Sequence, residues 1–247
     1  MSEIVTGAAY VDAITSLDSD RRARTAFRDV VLRIARPGAA LFDFGAGPGL
    51  DARFYAERGF AVAAYDIDPK MCEFFSNYCR EFIETGQVVL YQSSYREFLA
   101  RNELAERRVD LITSNFAPLN YIADLRELFA EFHALTRPNG QVLACVINPY
   151  WIRDLKCSWW WRNTLRLWRE GYYIVPGPLP TFRRRLANYN TDCAPYFVLE
   201  RVFPGMPTKG APAIDGVNLS RGIGHAWLRL TKCQFIFLLF RKQNSLT

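Results

Sequence analysis

The chain has 247 residues, of which half are hydrophobic and 23% are charged, a balance that is typical of a folded globular domain and excludes a disordered chain. Its apolar runs are much shorter than the about 20 residues of a membrane-spanning helix. Residues 1–10 have neither a basic start nor an apolar core, so we expect no secretory signal and a cytoplasmic protein.

Apolar strands alternate with helices over the first 147 residues. The first element is a helix over 19–36, because its apolar residues share one face and Pro37-Gly38 follows it. Further helices are predicted at 50–58, 69–84, 95–106 and 122–136. Strands are predicted at 40–44, 60–65, 88–91, 109–113 and 141–147. This alternation favours a parallel sheet with helices on both faces.

The alternation ends at Asn148-Pro149. Residues 151–190 have the composition of an insertion, since they hold eight basic residues, two acids and five of the six tryptophans. The rest of the chain carries 23 basic and 23 acidic residues, so the whole net charge of +6 lies in this segment. Two closing strands are predicted after it, at 198–203 and 233–240.

Cysteine and histidine are sparse. The six cysteines form no C-x-x-C pair, so reduced thiols are expected rather than a disulfide framework. Only two histidines occur, His133 and His225, and they supply too few ligands for a histidine-built metal site or a Ser-His-Asp triad. We therefore expect no metal.

Three alternating glycines, Gly45, Gly47 and Gly49, follow the first predicted strand. Glycines let the backbone approach a ligand closely at the carboxyl edge of an α/β sheet. A dinucleotide-binding turn has its third glycine one residue later, where Leu50 stands, so the spacing is evidence against NAD. An ordinary tight turn is the alternative interpretation.

Asp66 ends the second predicted strand. Because a carboxylate has two acceptor oxygens, it can bind both hydroxyls of a ribose at this position. A helix cap is the other interpretation, although Asp68, directly before Pro69, suits that role better.

These residues resemble the class I S-adenosylmethionine-dependent methyltransferases over about residues 8–148. Asp43-x-Gly45-x-Gly47-x-Gly49 resembles their first motif, and Asp66-Ile67-Asp68-Pro69-x-Met71 resembles the second. The resemblance implies that the first motif holds the methionine part of the cofactor and that Asp66 binds the ribose. The cofactor-binding residues that it implies in these motifs are Asp43, Gly45, Ala46, Gly47, Gly49, Asp66, Ile67 and Met71.

The later motifs match the family less closely. The family usually has an acid near the adenine after its third strand, whereas this chain has Ser93, Ser94 and Tyr95, with Ser94 at the aligned position. Residues 114–121 resemble the fourth motif, beside the methyl group, which implies that Asn115 and Phe116 contact the cofactor. Tyr10 resembles the aromatic residue that folds over the bound cofactor.

The resemblance implies an α/β fold, a Rossmann-like doubly wound sheet that is mostly parallel, with seven strands of which the last is antiparallel. We expect a single methyltransferase domain over 1–247. It comprises a cofactor-binding core at 1–150, a Trp/Arg-rich lid insertion after the fifth strand at 151–190, and closing strands at 191–247. The implied cofactor is S-adenosyl-L-methionine, with S-adenosyl-L-homocysteine as its product.

Methyl transfer from a sulfonium depends mainly on positioning, so a general base is useful for a hydroxyl acceptor and dispensable for a neutral amine. His225 is the candidate base, and a structural histidine is its alternative interpretation. Asn120 and Tyr121 are candidates for orienting the acceptor, or else form a helix entry. Asn148-Pro149-Tyr150 resembles the Asn-Pro-Pro-Tyr of some amine methyltransferases, but it follows the fifth strand, so a strand-ending turn is favoured.

A helix over 154–170 would align Trp161, Leu165 and Trp168 on one stripe beside a basic stripe of Arg162, Arg166 and Arg169. One interpretation is a helix packed on the sheet with solvated arginines. The other is an aromatic wall over the active site, edged by cations that suit an acidic substrate or carrier. On this second interpretation the substrate-binding residues are Trp151, Trp161 and Trp168.

The sequence thus predicts a bacterial, biosynthetic methyltransferase that acts on a small apolar or aromatic metabolite, free or bound to a carrier. Two alternatives remain open: a cofactor-binding partner module without catalysis, and an RNA or protein methyltransferase.

Overall fold

The protein is described by a computed structural model that covers residues 17–100, 108–176, 179–205, 217–218 and 230–243. Its strands, in chain order, are β1 (Ala40–Phe44), β2 (Ala61–Asp66), β3 (Val88–Gln92), β4 (Val109–Ser114), β5 (Thr136–Ile147), β6 (Tyr172–Val175), β7 (Thr181–Arg184), β8 (Phe197–Pro204), β9 (Val217–Asn218) and β10 (Phe235–Lys242).

Eight of these strands form one sheet in the order β3-β2-β1-β4-β5-β10-β8-β9, and β6 and β7 form a separate hairpin. Strands β1 to β5 are parallel, and β10 is antiparallel to both of its neighbours, β5 and β8. The predicted Rossmann-like sheet of seven strands with the last one antiparallel is confirmed. The short β9 is an addition, paired to the outer edge of β8.

The helices are α1 (Asp18–Ile34), α2 (Leu50–Ala56), α3 (Pro69–Tyr78), α4 (Arg80–Glu84), α5 (Tyr95–Ala100), α6 (Leu125–Leu135), α7 (Ser158–Glu170) and α8 (Leu186–Cys193). Short 3-10 helices cover Pro118–Tyr121 and Ile152–Lys156. Among the described helices, none combines the length and apolar character that crossing a lipid bilayer needs.

Several element boundaries differ from the sequence prediction. The helix predicted over 69–84 breaks at Cys79 into α3 and α4. Helix α6 begins only at Leu125, because the side chain of Asp124 caps it by accepting the N–H groups of Arg126 and Glu127. Strand β5 begins at Thr136 and not at the predicted residue 141, and residues 137–140 form an irregularity inside it, where Asn139 takes a left-handed φ of 61°.

The core lies on both faces of the sheet because neighbouring residues of each strand point to opposite sides. In β1, Phe42 and Phe44 pack into one cluster, which includes residues of α6 and α8, while Leu41 packs into the other, which includes residues of α1, α2 and α3. In β10, Leu238 and Leu239 divide in the same way. The doubly wound arrangement is therefore built from strands that are apolar on both sides.

The segment 151–190 packs at the end of the sheet where β4 finishes. The amide of Asn120, which follows β4, donates to the carbonyl of Phe182 at 2.6 Å and accepts the N–H of Ile147 at 3.0 Å. The Arg184 guanidinium donates to the carbonyls of Ile122 (2.6 Å) and Ala123 (2.8 Å). These contacts fix the β6–β7 hairpin against the loop after β4.

An ion pair stabilises the same segment internally. Asp154 and Arg183, both mostly buried, lie 2.5 Å apart. This pair joins the 3-10 helix before α7 to strand β7.

Candidate functional site

The glycine-rich turn joins β1 to α2 at the carboxyl edge of the sheet, and its three glycines have different tasks. All three have positive φ angles, of 71° at Gly45, 56° at Gly47 and 81° at Gly49. A Cβ at Gly45 would lie 2.6 Å from Pro118, and one at Gly49 would lie 2.7 Å from the Phe75 ring. Gly45 and Gly49 are thus required for packing within the protein.

Gly47 differs, because a Cβ built there meets no atom within 4 Å. Its φ of 56° disfavours an ordinary side chain, yet the space beside it is open. An open backbone cradle of this kind fits a ligand that lies directly on the main chain.

Asp66 ends β2 beside this cradle. Its Oδ2 accepts the N–H of Gly47 at 2.7 Å, and its Oδ1 accepts the N–H of Asp68 at 2.9 Å. Burial raises the pKa of the Asp66 carboxyl, although these backbone donors oppose the rise. Each oxygen retains a further lone pair that can accept a hydroxyl. The helix cap, the alternative interpretation of Asp66, is instead Asp68, which accepts the N–H groups of Lys70 and Met71.

Asp43 lies deeper, near the end of β1, and is almost completely buried. Its Oδ1 accepts the hydroxyl of Thr113 at 2.9 Å, whereas its Oδ2 has no hydrogen-bond partner among the described residues. Burial, together with the negative charge of Asp51, raises the pKa of the Asp43 carboxyl to about 7. A buried acceptor of this kind fits a ligand that brings a donor or a positive charge, such as the ammonium of a methionine.

A buried charge cluster supports the same turn, and the sequence reasoning missed it. Asp51, in the first turn of α2, contacts the guanidinium groups of Arg24 (2.5 Å) and Arg28 (2.6 Å) and the amide of Asn115 (2.9 Å). Burial alone would raise the pKa of Asp51, but the two arginines outweigh it and lower that pKa below its usual value. The i, i+4 spacing of Arg24 and Arg28 on α1 was the available signal.

The side chain of Asn115, an expected cofactor contact, is occupied by partners within the protein. Its amide nitrogen donates to Asp51, and its Oδ1 accepts the N–H of Phe116 at 2.9 Å. Phe116 and Ala117 have left-handed φ angles of 57° and 70°, a strained conformation for residues other than glycine. Asn115 acts as a positioning residue for this loop.

Two serines at the end of β3, both expected to contact the cofactor, differ in their hydrogen bonds. Both the N–H and the hydroxyl of Ser94, the expected adenine contact, donate to Glu97 at 2.8 Å, so Ser94 caps α5. The hydroxyl oxygen of Ser93 is buried and has no partner among the described residues. Ser93 is the better candidate for a cofactor contact. Tyr95 packs against the core beside Phe98.

The remaining cofactor candidates lie along the edge of the same site. Ala46 packs partly against the core cluster that contains Leu41. Met71 is buried, whereas Ile67 is 57% exposed and can cover a ligand from the solvent side.

Of the expected acceptor residues, the structure describes Asn120 and Tyr121. Asn120 is completely buried and its amide is used in holding the hairpin, so it is not available to orient an acceptor. Tyr121 is 46% exposed. His225 and Tyr10 lie outside the described residues. Asn148 donates to the carbonyls of Leu230 and Cys233, as a strand-ending turn requires.

Two of the three tryptophans expected to bind substrate lie at the surface of the protein. Trp161 and Trp168 are 63% and 72% exposed, because α7 turns Leu167 and the edge of Trp160 inward instead. The other interpretation is a helix packed on the sheet with solvated arginines, and Arg162, Arg166 and Arg169 are indeed exposed. Trp151 is partly buried, next to the turn after β5.

Metal ligands are not grouped in the described part of the chain, where no set of three or more histidine, cysteine or acidic side chains could hold an ion. All six cysteines are free thiols, and five of them are buried.

A family model described as a methyltransferase domain matches residues 19–185, which include the glycine turn, Asp66 and the loop after β4. The chain belongs to the class I S-adenosylmethionine-dependent methyltransferases.

Individual relatives are distant. The malonyl-[acyl-carrier protein] O-methyltransferase of Salmonella typhimurium is 27% identical over 133 residues, which are 53% of this chain and 47% of that protein. The methyltransferase thus spans about half the length of this curated relative.

Two solved structures share the fold. A TehB-like S-adenosylmethionine-dependent methyltransferase from Corynebacterium glutamicum has a TM-score of 0.57 at 13% identity, covering 96% of each chain. The Burkholderia thailandensis 1,6-didemethyltoxoflavin-N1-methyltransferase, solved with S-adenosylhomocysteine, has a TM-score of 0.55 at 16% identity, covering 99% of this chain and 93% of its own.

The cradle at Gly47 can be tested with a matched glycine. Gly59 also has a positive φ (81°) and open space beside it, but it lies in the turn after α2, at the start of the loop to β2. Gly47→Ala and Gly59→Ala should each cost about 1–2 kcal/mol of stability, because both force a side chain into the left-handed region. Only Gly47→Ala should weaken S-adenosylhomocysteine binding, by more than tenfold in calorimetry. Equal affinities of the two variants would show that no ligand lies on Gly47.

The raised pKa of Asp43 predicts a pH-dependent stability. Between the usual pKa of 3.8 and the folded value of about 7, the folded state holds a proton that the unfolded state has lost, so stability falls as pH rises. From pH 5 to pH 8, the free energy of unfolding of the cofactor-free wild-type protein should fall by about 2–3 kcal/mol more than that of Asp43→Asn. Urea unfolding of both proteins measures this difference. Identical pH profiles would contradict it.

Proposed function

We propose that this chain catalyses methyl transfer from S-adenosylmethionine to a small acceptor molecule. The observation that supports this most is the open backbone cradle at Gly47, with the Asp66 carboxylate hydrogen-bonded to the same residue at 2.7 Å. A protein with the same fold but no open space at this turn could have lost the ability to bind the cofactor.

The residues divide the work of holding the cofactor. Asp66 accepts the ribose hydroxyls through the free lone pairs of its two oxygens. Ser93, whose hydroxyl is buried without a partner among the described residues, binds the adenine edge. Asp43 accepts hydrogen bonds from the ammonium of the methionine part, which supplies a cationic partner for its buried Oδ2.

When bound, the cofactor supplies an electrophilic methyl group. The protein contributes position and exclusion of water, and both depend on the loop after β4. Asp51 and Asn115 hold Phe116 in its left-handed conformation, and Arg24 stacks on the Phe116 ring at 4.5 Å. This loop is the fixed wall against which an acceptor is placed.

The segment 151–190 is proposed as the lid of the acceptor pocket. Its hairpin is hydrogen-bonded to the residues that follow β4, through Asn120 and Arg184, so it lies next to the expected position of the methyl group. With Trp161 and Trp168 at the surface, the case for an aromatic acceptor weakens.

The charge of the segment favours an acceptor that is an acid or is delivered by an acidic carrier. The relatives named malonyl-[acyl-carrier protein] O-methyltransferases support this choice. A biosynthetic role in a bacterial cytoplasm belongs to the same proposal, and the bacterial sources of these relatives support it.

Transfer of a labelled methyl group tests the proposal directly. Purified protein is incubated with methyl-labelled S-adenosylmethionine and three acceptor classes: free carboxylic acids, acyl chains on an acidic carrier protein, and RNA. We expect label in one of the first two classes, and a loss of at least tenfold in kcat/KM for Asp66→Ala. Cofactor binding without turnover on any class would indicate a non-catalytic module, and labelled RNA would overturn the small acceptor.

A further inference from the structure

Helix α7 presents large apolar side chains to solvent. Trp161, Leu165 and Trp168 are 63%, 59% and 72% exposed, and they follow one another along one side of the helix. We call these three residues the outer face of α7. Single exposed apolar residues are ordinary on protein surfaces, but two exposed tryptophans and a leucine along one side of a helix form a patch that needs an explanation.

The opposite side of α7 is anchored, so the outer face is held outward. Leu167 is buried, and the indole of Trp160 donates to the carbonyl of Pro149 at 3.1 Å. The helix also packs beside strand β6, where the ring centroids of Trp159 and Tyr173 lie 6.1 Å apart. Turning the outer face inward would break these contacts.

Cations border the outer face. Arg162, Arg166 and Arg169 are exposed and each follows an outer-face residue by one position. None of the three forms an ion pair with another described residue, whereas Arg183 in the same segment is paired with Asp154. Their charges are therefore available to a partner with negative charge.

We propose that the outer face of α7 binds the surface of an anionic lipid bilayer. An amphipathic helix with tryptophan and leucine on one side and arginine beside them is the form that lies in the interfacial plane of a membrane. Tryptophan favours the headgroup region, and each arginine near an anionic surface adds to the binding free energy.

The shape of the face favours lipid over an acidic protein. The face is convex, because it lies on a helix about 20 Å long for its 13 residues. The Trp168 indole is 72% exposed, while the Trp161 indole is 63% exposed and donates to the carbonyl of Leu155 at 2.8 Å. A lipid interface deforms around protruding side chains, while a folded partner needs a matching groove. Because α7 follows β5 on the side of the sheet where the cofactor cradle lies, attachment would place the acceptor entrance near the lipid surface.

Vesicle binding tests this inference independently of the methyl acceptor. The full chain is centrifuged with vesicles of phosphatidylcholine alone and with about 30% phosphatidylglycerol, the anionic component. We expect binding to the anionic vesicles only, weakened by raising the salt concentration, with a blue shift of tryptophan emission.

Two variants separate the contributions of the outer face. Arg162→Gln/Arg166→Gln/Arg169→Gln should weaken partitioning about 100-fold. Its control, Arg58→Gln/Arg80→Gln/Arg126→Gln, removes the same charge from other helices or their ends and should change partitioning by less than tenfold. Trp161→Ser/Trp168→Ser should abolish the blue shift and binding, while Trp161→Phe/Trp168→Phe should bind but lose quenching by brominated lipid.

S-adenosylhomocysteine affinity is measured in every preparation and should stay within twofold of the wild-type value, since the substituted residues are exposed. An absence of binding to anionic vesicles by the folded wild-type protein would overturn the inference, as would equal binding by the two arginine variants. Binding of an acidic carrier protein through these same residues, without vesicle binding, would also overturn it.

Discussion

The buried carboxylate of Asp51 is the contact on which the site depends. Asp51 lies in α2 and joins this helix to two other parts of the chain. It contacts Arg24 and Arg28 of α1, and it accepts a hydrogen bond from Asn115 in the loop after β4. A buried charge of this kind is tolerable only when it is fully paired, and removing one partner typically costs about 3–5 kcal/mol. The turn and the loop that enclose the cofactor space are therefore held by one electrostatic cluster.

The same charge also prepares the site for a cationic ligand. Asp51 is satisfied by its two arginines, but its field helps to raise the pKa of Asp43, whose Oδ2 has no partner among the described residues. Asp51 is thus neutralised by two arginines of the protein, whereas Asp43 has no cationic hydrogen-bond partner among the described residues. This division suits a cofactor that has an ammonium on its methionine part, near Asp43, and ribose hydroxyls, near Asp66.

The sequence predicted what depends on local pattern. The glycine turn, the strand-ending Asp66 and the parallel sheet follow from spacing and apolar periodicity, which neighbouring residues determine. It could not predict the contact between Asp51 and Asn115, because they are 64 residues apart and only the fold brings them together. For α7, periodicity identified the stripe of Trp161 and Trp168 correctly, but it left open whether the helix packs on the sheet or lines the active site. The indole of Trp160 and the side chain of Leu167 decide the orientation.

The central claim is that the edge near Gly47 and Asp66 binds S-adenosylmethionine and not a nicotinamide cofactor. Calorimetry of the wild-type protein and of Asp66→Ala, with S-adenosylhomocysteine and with NAD, tests it most directly. The account predicts binding of S-adenosylhomocysteine only, weakened in Asp66→Ala by about 1–3 kcal/mol, the value of hydrogen bonds to a charged group. Tight NAD binding, or an affinity for S-adenosylhomocysteine that Asp66→Ala leaves unchanged, would contradict it.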